Sequence, residues 1–231
     1  MKFLILFLSL FLNSCVHSTH VYAPATQFRP DPVYKSVALI HIKHKLGMAT
    51  ATAFAIQNIN NNTYMVTVNH LCERRGRKVV AFTVHTEEAG RKRFKGKTVY
   101  SSSENDMCIL RLYNTGEQFV PLRFARKVPQ AGDRAYTIGA PSGTFPSKTE
   151  GYVIGHDLLG MEPDEEGVPK TLLVTTVPAY NGNSGGPVYN EQYEVIGMLA
   201  ATHKKYPHSS ISIHVESILK HLKLYFKKDI R

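Results

Sequence analysis

Thr50-Ala51-Thr52-Ala53-Phe54-Ala55-Ile56-Gln57-Asn58, then Ile59-Asn60-Asn61-Asn62, then Thr63-Tyr64-Met65-Val66-Thr67-Val68, is the stretch that decides the fold. β-Branched and aromatic residues populate both flanks, and the asparagine-rich centre has the chemistry of a tight reversal. The whole therefore reads as a β-hairpin. Working outward, residues 37–44, 79–85, 107–113, 134–139, 148–156, 171–177 and 195–201 repeat the pattern, each a short apolar or β-branched run bounded by turn residues. A helical apolar period occurs only near the end, where Val215, Ile218, Leu222 and Phe226 predict one helix over 215–227. The expected fold is all-β, with its short strands closed into one or two barrels and a C-terminal helix.

The first residues are excluded from that fold. Lys2 precedes the apolar run Phe3-Leu4-Ile5-Leu6-Phe7-Leu8, which continues through Leu12. One early cation followed by about ten apolar residues has the form of a secretory signal, and the run is too short for a permanent bilayer span. Leu12-Asn13-Ser14-Cys15 resembles a lipobox, which makes Cys15 a candidate for lipidation, although it also fits the tail of an ordinary signal peptide. Both readings place the domain outside the cytoplasm, as a periplasmic, outer-membrane lipoprotein or secreted protein. Any membrane association is expected through a lipid at Cys15. Residues 15–33, with Pro24, Pro30 and Pro32, read as a polar spacer.

The chain of 231 residues carries 28 lysines and arginines against 18 acids, a net charge of +10. Two clusters concentrate the excess, Arg74-Arg75-Gly76-Arg77-Lys78 and Arg91-Lys92-Arg93-Phe94-Lys95-Gly96-Lys97. Such clusters draw polyanions before any specific contact forms, so an anionic surface is a candidate partner. Their turn-rich surroundings place them on exposed hairpins, and no base-reading motif accompanies them. Nucleic acid is accordingly not expected as a partner.

The chemistry concentrates in Asn181-Gly182-Asn183-Ser184-Gly185-Gly186-Pro187, set between two strand-like runs. Glycines on both sides of a serine permit a tight turn that aims successive amides into one concavity beside an exposed hydroxyl. That is what stabilising an oxyanion requires. A serine hydroxyl needs a base, and the base an orienting carboxylate. His70 stands at the end of the strand formed by residues 64–68, and Asp106 opens the run Met107-Cys108-Ile109-Leu110-Arg111-Leu112.

Together these features resemble the chymotrypsin-like, or trypsin-like, serine endopeptidases, from about Val37 to the terminal helix. Val66-Thr67-Val68-Asn69-His70 is similar to the family's histidine segment, Asp106 to Leu112 to its aspartate strand, and Gly182 to Pro187 to its serine loop. The order His, Asp, Ser is the family's own. Asn183 and the ending Ser212-Ile213-His214-Val215-Glu216-Ser217-Ile218 most resemble HtrA-type and glutamyl-endopeptidase-type members.

The resemblance implies two six-stranded antiparallel barrels, residues 34–125 with His70 and Asp106 and residues 126–231 with Ser184 and the helix. It implies a triad in the cleft between them, with the amides of Gly182 and Ser184 as oxyanion donors, acting on protein or peptide substrates without metal or organic cofactor. It also places the substrate pocket at Pro178, Ala179, Thr202 and His203. No acid lies among these residues, so small or moderate apolar side chains are expected at the cleaved position, with glutamate preference through His203 or His208 as the alternative.

Several residues depart from the family pattern. Asn183 stands where animal members carry an activation aspartate. Val68 and Asn69 replace a small pair, and Ala200 replaces a hydroxyl expected against the aspartate. These departures leave a second reading, an inactive barrel protein that binds surfaces. Cys72 and Cys108 follow the base and the acid by two residues each, so the cleft that joins His70 to Asp106 brings the cysteines together, either as a disulfide or as two buried thiols. The stretch after the terminal helix is short, and no appended peptide-binding module is expected.

Overall fold

The computed structural model describes residues 31–44, 47–72, 78–83, 92–158, 171–202 and 208–227. The expected export segment, Cys15, most of the spacer, residues 74–77 of the first basic cluster and His203 lie outside the described residues.

Two closed antiparallel barrels of six strands make up the body. The first contains β1 (Val37–His44), β2 (Gly47–Ile59), β3 (Asn62–Val68), β4 (Lys78–Thr83), β5 (Arg93–Ser102) and β6 (Met107–Leu112) in the order β1-β2-β3-β6-β5-β4. Pairing of β1 with β4 closes it. The second contains β7 (Arg134–Gly139), β8 (Ser147–Leu158), β9 (Thr171–Thr175), β10 (Pro187–Tyr189), β11 (Val195–Thr202) and β12 (Ser210–His214) in the order β10-β11-β12-β9-β8-β7. It closes through β10 and β7. The asparagine-rich stretch forms the expected reversal between β2 and β3, with Asn60 and Asn61 at φ 48° and 61°. Asparagine tolerates that left-handed region better than most residues.

Three strands depart from the sequence reading. β5, which the sequence reading did not assign as a strand, takes in Arg93, Lys95 and Lys97 of the cluster expected on an exposed hairpin; these cations alternate with Phe94, Gly96 and Thr98 and line the outward face of a strand paired with β4. β10 and β12 are the others.

Strand alternation also explains how the barrels join. Every residue from Ala51 to Ile56 on β2 is buried, because the strand has apolar material on both faces. Ala51, Ala53 and Ala55 fill the interior of the first barrel with Met65, Leu110 and Phe119. Phe54 and Ile56 point the other way, into a cluster shared with Ile138, Tyr189, Val195, Met198 and Ile213 of the second barrel. A separate cluster around Ala135, Val153, Leu173 and Val188 fills the second barrel.

Two further elements cross between the barrels. Asp31, nearly buried, accepts hydrogen bonds from Lys148 Nζ (2.7 Å) and Tyr189 Oη (2.8 Å) of the second barrel and from the Val33 amide (2.9 Å). Burial and the adjacent Asp31 charge push the Tyr189 phenol well above its ordinary range. For Lys148, burial works against the charge, but the bond to Asp31 and its charge prevail and raise the ammonium pKa. A helix, α2 (Val215–Phe226), buries Val215, Ile218 and Leu222 in the shared cluster. At its far end the Phe226 ring lies edge-on to Tyr64 of β3, with centroids 5.2 Å apart.

Candidate active site

His70 and Asp106 are brought together by the pairing of β3 with β6, which aligns Val68 with Met107. Beyond that pair the chain turns into α1 (Asn69–Cys72), and Asp106 ends the turn that leads into β6. Asp106 takes a left-handed conformation (φ 46°), one that aspartate adopts more readily than most side chains. Its carbonyl accepts from the Asn69 amide (2.9 Å), and its Oδ1 accepts from the His70 amide (2.7 Å). The carboxylate then faces the imidazole, with Nδ1 2.9 Å from Oδ2 and 3.1 Å from Oδ1. A carboxylate only accepts, so Nδ1 is the ring nitrogen that donates to it, and in the neutral imidazole this leaves the lone pair on Nε2. Both side chains remain accessible, at 47% for His70 and 31% for Asp106.

Ser184 reaches the same cleft from the second barrel. A cavity of about 580 Å³ is lined by His70, Asp106 and Ser184 together with Tyr180, Ala200 and Thr202. In this state the Ser184 hydroxyl donates to the Ala200 carbonyl at 3.2 Å. Ala200 thus meets the serine through its backbone, at the position where the family pattern led us to expect a hydroxyl against the aspartate.

The turn before Ser184 is held plane by plane. In a trans peptide the N–H points away from the C=O of the same unit, so anchoring a carbonyl aims the following amide. The Asn181 carbonyl accepts from the Ser142 amide (2.7 Å), which turns the Gly182 N–H away from it. The Asn183 carbonyl accepts from the Gly186 amide (2.9 Å), which aims the Ser184 N–H in the same manner. Among the described residues, neither of those two amides donates to another protein group. Gly182 has to be glycine, because its φ is 101° and a Cβ would run into the Ala140 carbonyl.

Of the residues expected in the pocket, Ala179 and Thr202 line the cleft. Pro178 does not, and its carbonyl instead accepts from Thr149 Oγ1 (3.4 Å) on the β8 side. His203 lies outside the described residues. Leu199, Ala200 and Ala201 of β11 complete an uncharged wall. The sulfurs of Cys72 and Cys108 are placed as a bonded pair, with Cα atoms 6.5 Å apart in the interior of the first barrel. Sequence reading missed Ser142 and Tyr180 as cleft residues, since nothing in their local pattern separates them from ordinary turn residues. It also missed Thr52, whose hydroxyl donates to the Gly182 carbonyl at 2.8 Å.

Comparison with known proteins bears on the family and the fold. A family profile described as a trypsin-like peptidase domain matches residues 51–198. A probable periplasmic serine endoprotease, DegP-like, of Pseudomonas fluorescens is 30% identical over 143 residues, 61% of this chain and 27% of that protein. The serine endoprotease DegS of Escherichia coli is 29% identical over 136 residues, 58% of this chain and 36% of that protein. The matched region is thus well under half the length of these curated relatives. In fold, the active form of the Rv3671c protease of Mycobacterium tuberculosis superposes with a TM-score of 0.67 at 19% identity, covering 80% of this chain and 78% of that one. The serine endoprotease of Yersinia pestis gives 0.67 at 15% identity, covering 85% and 65%.

Proposed function

The chain belongs to the trypsin-like peptidase family, and on that premise we propose that it is a serine endopeptidase whose triad is His70, Asp106 and Ser184. The observation that carries the reading is the meeting of the His70–Asp106 pair with Ser184 in one cleft, next to a turn whose Gly182 and Ser184 amides donate to no other protein group among the described residues.

Catalysis starts with rotation of the Ser184 hydroxyl from the Ala200 carbonyl towards His70 Nε2. As Oγ attacks the scissile carbonyl carbon, Nε2 takes its proton and the carbonyl π pair moves onto oxygen. The Gly182 and Ser184 amides hold that oxyanion, a contribution of about 3 kcal/mol per donor in comparable sites. Asp106 keeps the proton of the ring on Nδ1 throughout and stabilises the imidazolium. Nε2 then protonates the leaving amine as the C–N bond breaks, giving an acyl-enzyme. Water, deprotonated by the same nitrogen, releases the acid and restores Ser184.

The uncharged pocket wall of Ala179, Ala200 and Ala201 with Thr202 suits a small or moderate apolar side chain at the cleaved position. The signal-like start and the periplasmic description of the Pseudomonas relative support an exported protein, with a lipid at Cys15 as one form of anchoring. Digestion of casein by the wild type, with Ser184→Ala inert, tests the reading. A peptide panel varied at the cleaved position tests the pocket, and strong preference for arginine or lysine would overturn that part.

A further inference from the structure

Thr52 lies on β2 of the first barrel and bonds directly to the serine turn of the second; all three of its polar groups are engaged and the side chain is fully buried. Its Oγ1 donates to the Gly182 carbonyl at 2.8 Å, and its amide donates to the Ser184 carbonyl at 2.9 Å. Its own carbonyl accepts from Thr67 Oγ1 at 2.7 Å. Period-two alternation accounts for the direction, since Thr52 shares its face with Phe54 and Ile56, the face turned towards the second barrel.

The two carbonyls that Thr52 holds belong to peptide units alternating with the two that carry the oxyanion donors. The unit joining residues 182 and 183 is gripped at both ends, by Thr52 Oγ1 on its oxygen and by the Tyr180 carbonyl on its N–H (3.0 Å). The unit joining 184 and 185 is likewise held by the Thr52 amide and by the Leu199 carbonyl, which accepts from Gly185 (2.7 Å). The donor amides of Gly182 and Ser184 belong to the intervening planes, whose carbonyls accept from the Ser142 and Gly186 amides. Gly182 is itself a glycine at positive φ and resists rotation little.

We infer that Thr52 is a positioning residue for the oxyanion turn: a first-barrel hydroxyl that presets the backbone of the second-barrel serine loop. Its contribution appears when charge develops on the substrate oxygen and is absent from ground-state binding. The inference rests on the serine endopeptidase reading, because it concerns the same turn.

The test compares Thr52→Val, which keeps the branched shape without the hydroxyl, with Thr52→Ser, which restores it. Thr63→Val is the control. Thr63 Oγ1 is as deeply buried and bonds to Asn58 and Thr115, at the opposite end of β3 from His70. Expected for Thr52→Val is a fall in kcat of about 10- to 100-fold, with KM within about twofold of wild type. Affinity for a peptide boronate, which mimics the tetrahedral state, should fall in parallel with kcat/KM. Thr52→Ser should recover to within about threefold, and Thr63→Val should lose thermal stability without losing kcat. Unchanged kcat in folded Thr52→Val, or a loss carried by KM alone, overturns the inference while leaving the endopeptidase reading intact. An inert wild type overturns that reading first. Should Thr52→Val not fold, failure of Thr52→Ser to retain boronate affinity relative to Thr63→Val decides against the inference.

Discussion

Replacing Asp106 by asparagine changes one atom of the carboxylate, and the surrounding geometry dictates which. Asp106 Oδ1 accepts from the His70 amide at 2.7 Å, and Oδ2 faces His70 Nδ1 at 2.9 Å. An asparagine has a single acceptor oxygen. If its NH₂ took the Oδ1 position it would oppose the His70 N–H, two donors at hydrogen-bond distance with nothing to accept. The oxygen therefore stays on the amide and the NH₂ faces Nδ1. Nδ1 becomes the acceptor, the ring proton moves to Nε2, and the base can no longer take the proton of Ser184.

This wrong-tautomer effect amounts to about a 10⁴-fold loss of kcat in comparable triads, or about 5.4 kcal/mol of transition-state stabilisation. Fold should survive, since the residue is one-third exposed and its shape is unchanged. The assay is single-turnover and steady-state hydrolysis of an apolar peptide substrate, with circular dichroism as the control for folding. Retention of more than about a tenth of wild-type kcat in folded Asp106→Asn would refute the tautomer argument.

Other outcomes follow from the same structure. Reduction of the Cys72–Cys108 pair, which closes a loop of 36 residues, should cost about 4 kcal/mol in guanidinium unfolding. Alkylation mass shifts with and without reductant show whether the thiols are paired, and no loss of stability on reduction would count against the bridge. His214 is buried, and its Nδ1 accepts from the Glu216 amide at 3.3 Å to cap α2. Burial lowers its pKa below 6.5; the nearby His156 adds to this, and the Glu216 carboxylate opposes it. The unfolded chain therefore binds a proton that the folded one refuses, so this contribution to stability is complete above about pH 6.5 and declines as the pH falls towards the lowered folded value. Tm should drop on acidification through that window, and His214→Asn, which keeps a capping acceptor, should flatten the dependence.

Much of the fold was legible because it rests on local signals. The strands β1, β3 and β7, the asparagine reversal and the terminal helix follow from alternation and turn chemistry alone. β5 was hidden because its outward positions are cations, and a run holding Arg93, Lys95 and Lys97 has the composition of a loop. β10 has three residues, too few to show a period. β12 has the alternation of Ser210-Ile211-Ser212-Ile213, but it abuts the apolar period of the helix and merges with it.

The site divides in the same way. His70, Asp106 and Ser184 stand beside strand ends or glycines that mark them in one dimension. Thr52 carries no such mark, because its role is set by which face of β2 meets the second barrel. Of the adjacent pair expected in the pocket, Ala179 lines the cleft and Pro178 does not.

Labelling by a fluorophosphonate probe tests the central claim most directly, since only a serine activated by its base reacts readily. The account predicts one phosphonyl group per folded wild-type chain, mapped to Ser184 by mass spectrometry, and none in Ser184→Ala or His70→Ala. A folded wild type that stays unlabelled, or labelling that persists in Ser184→Ala, would contradict it.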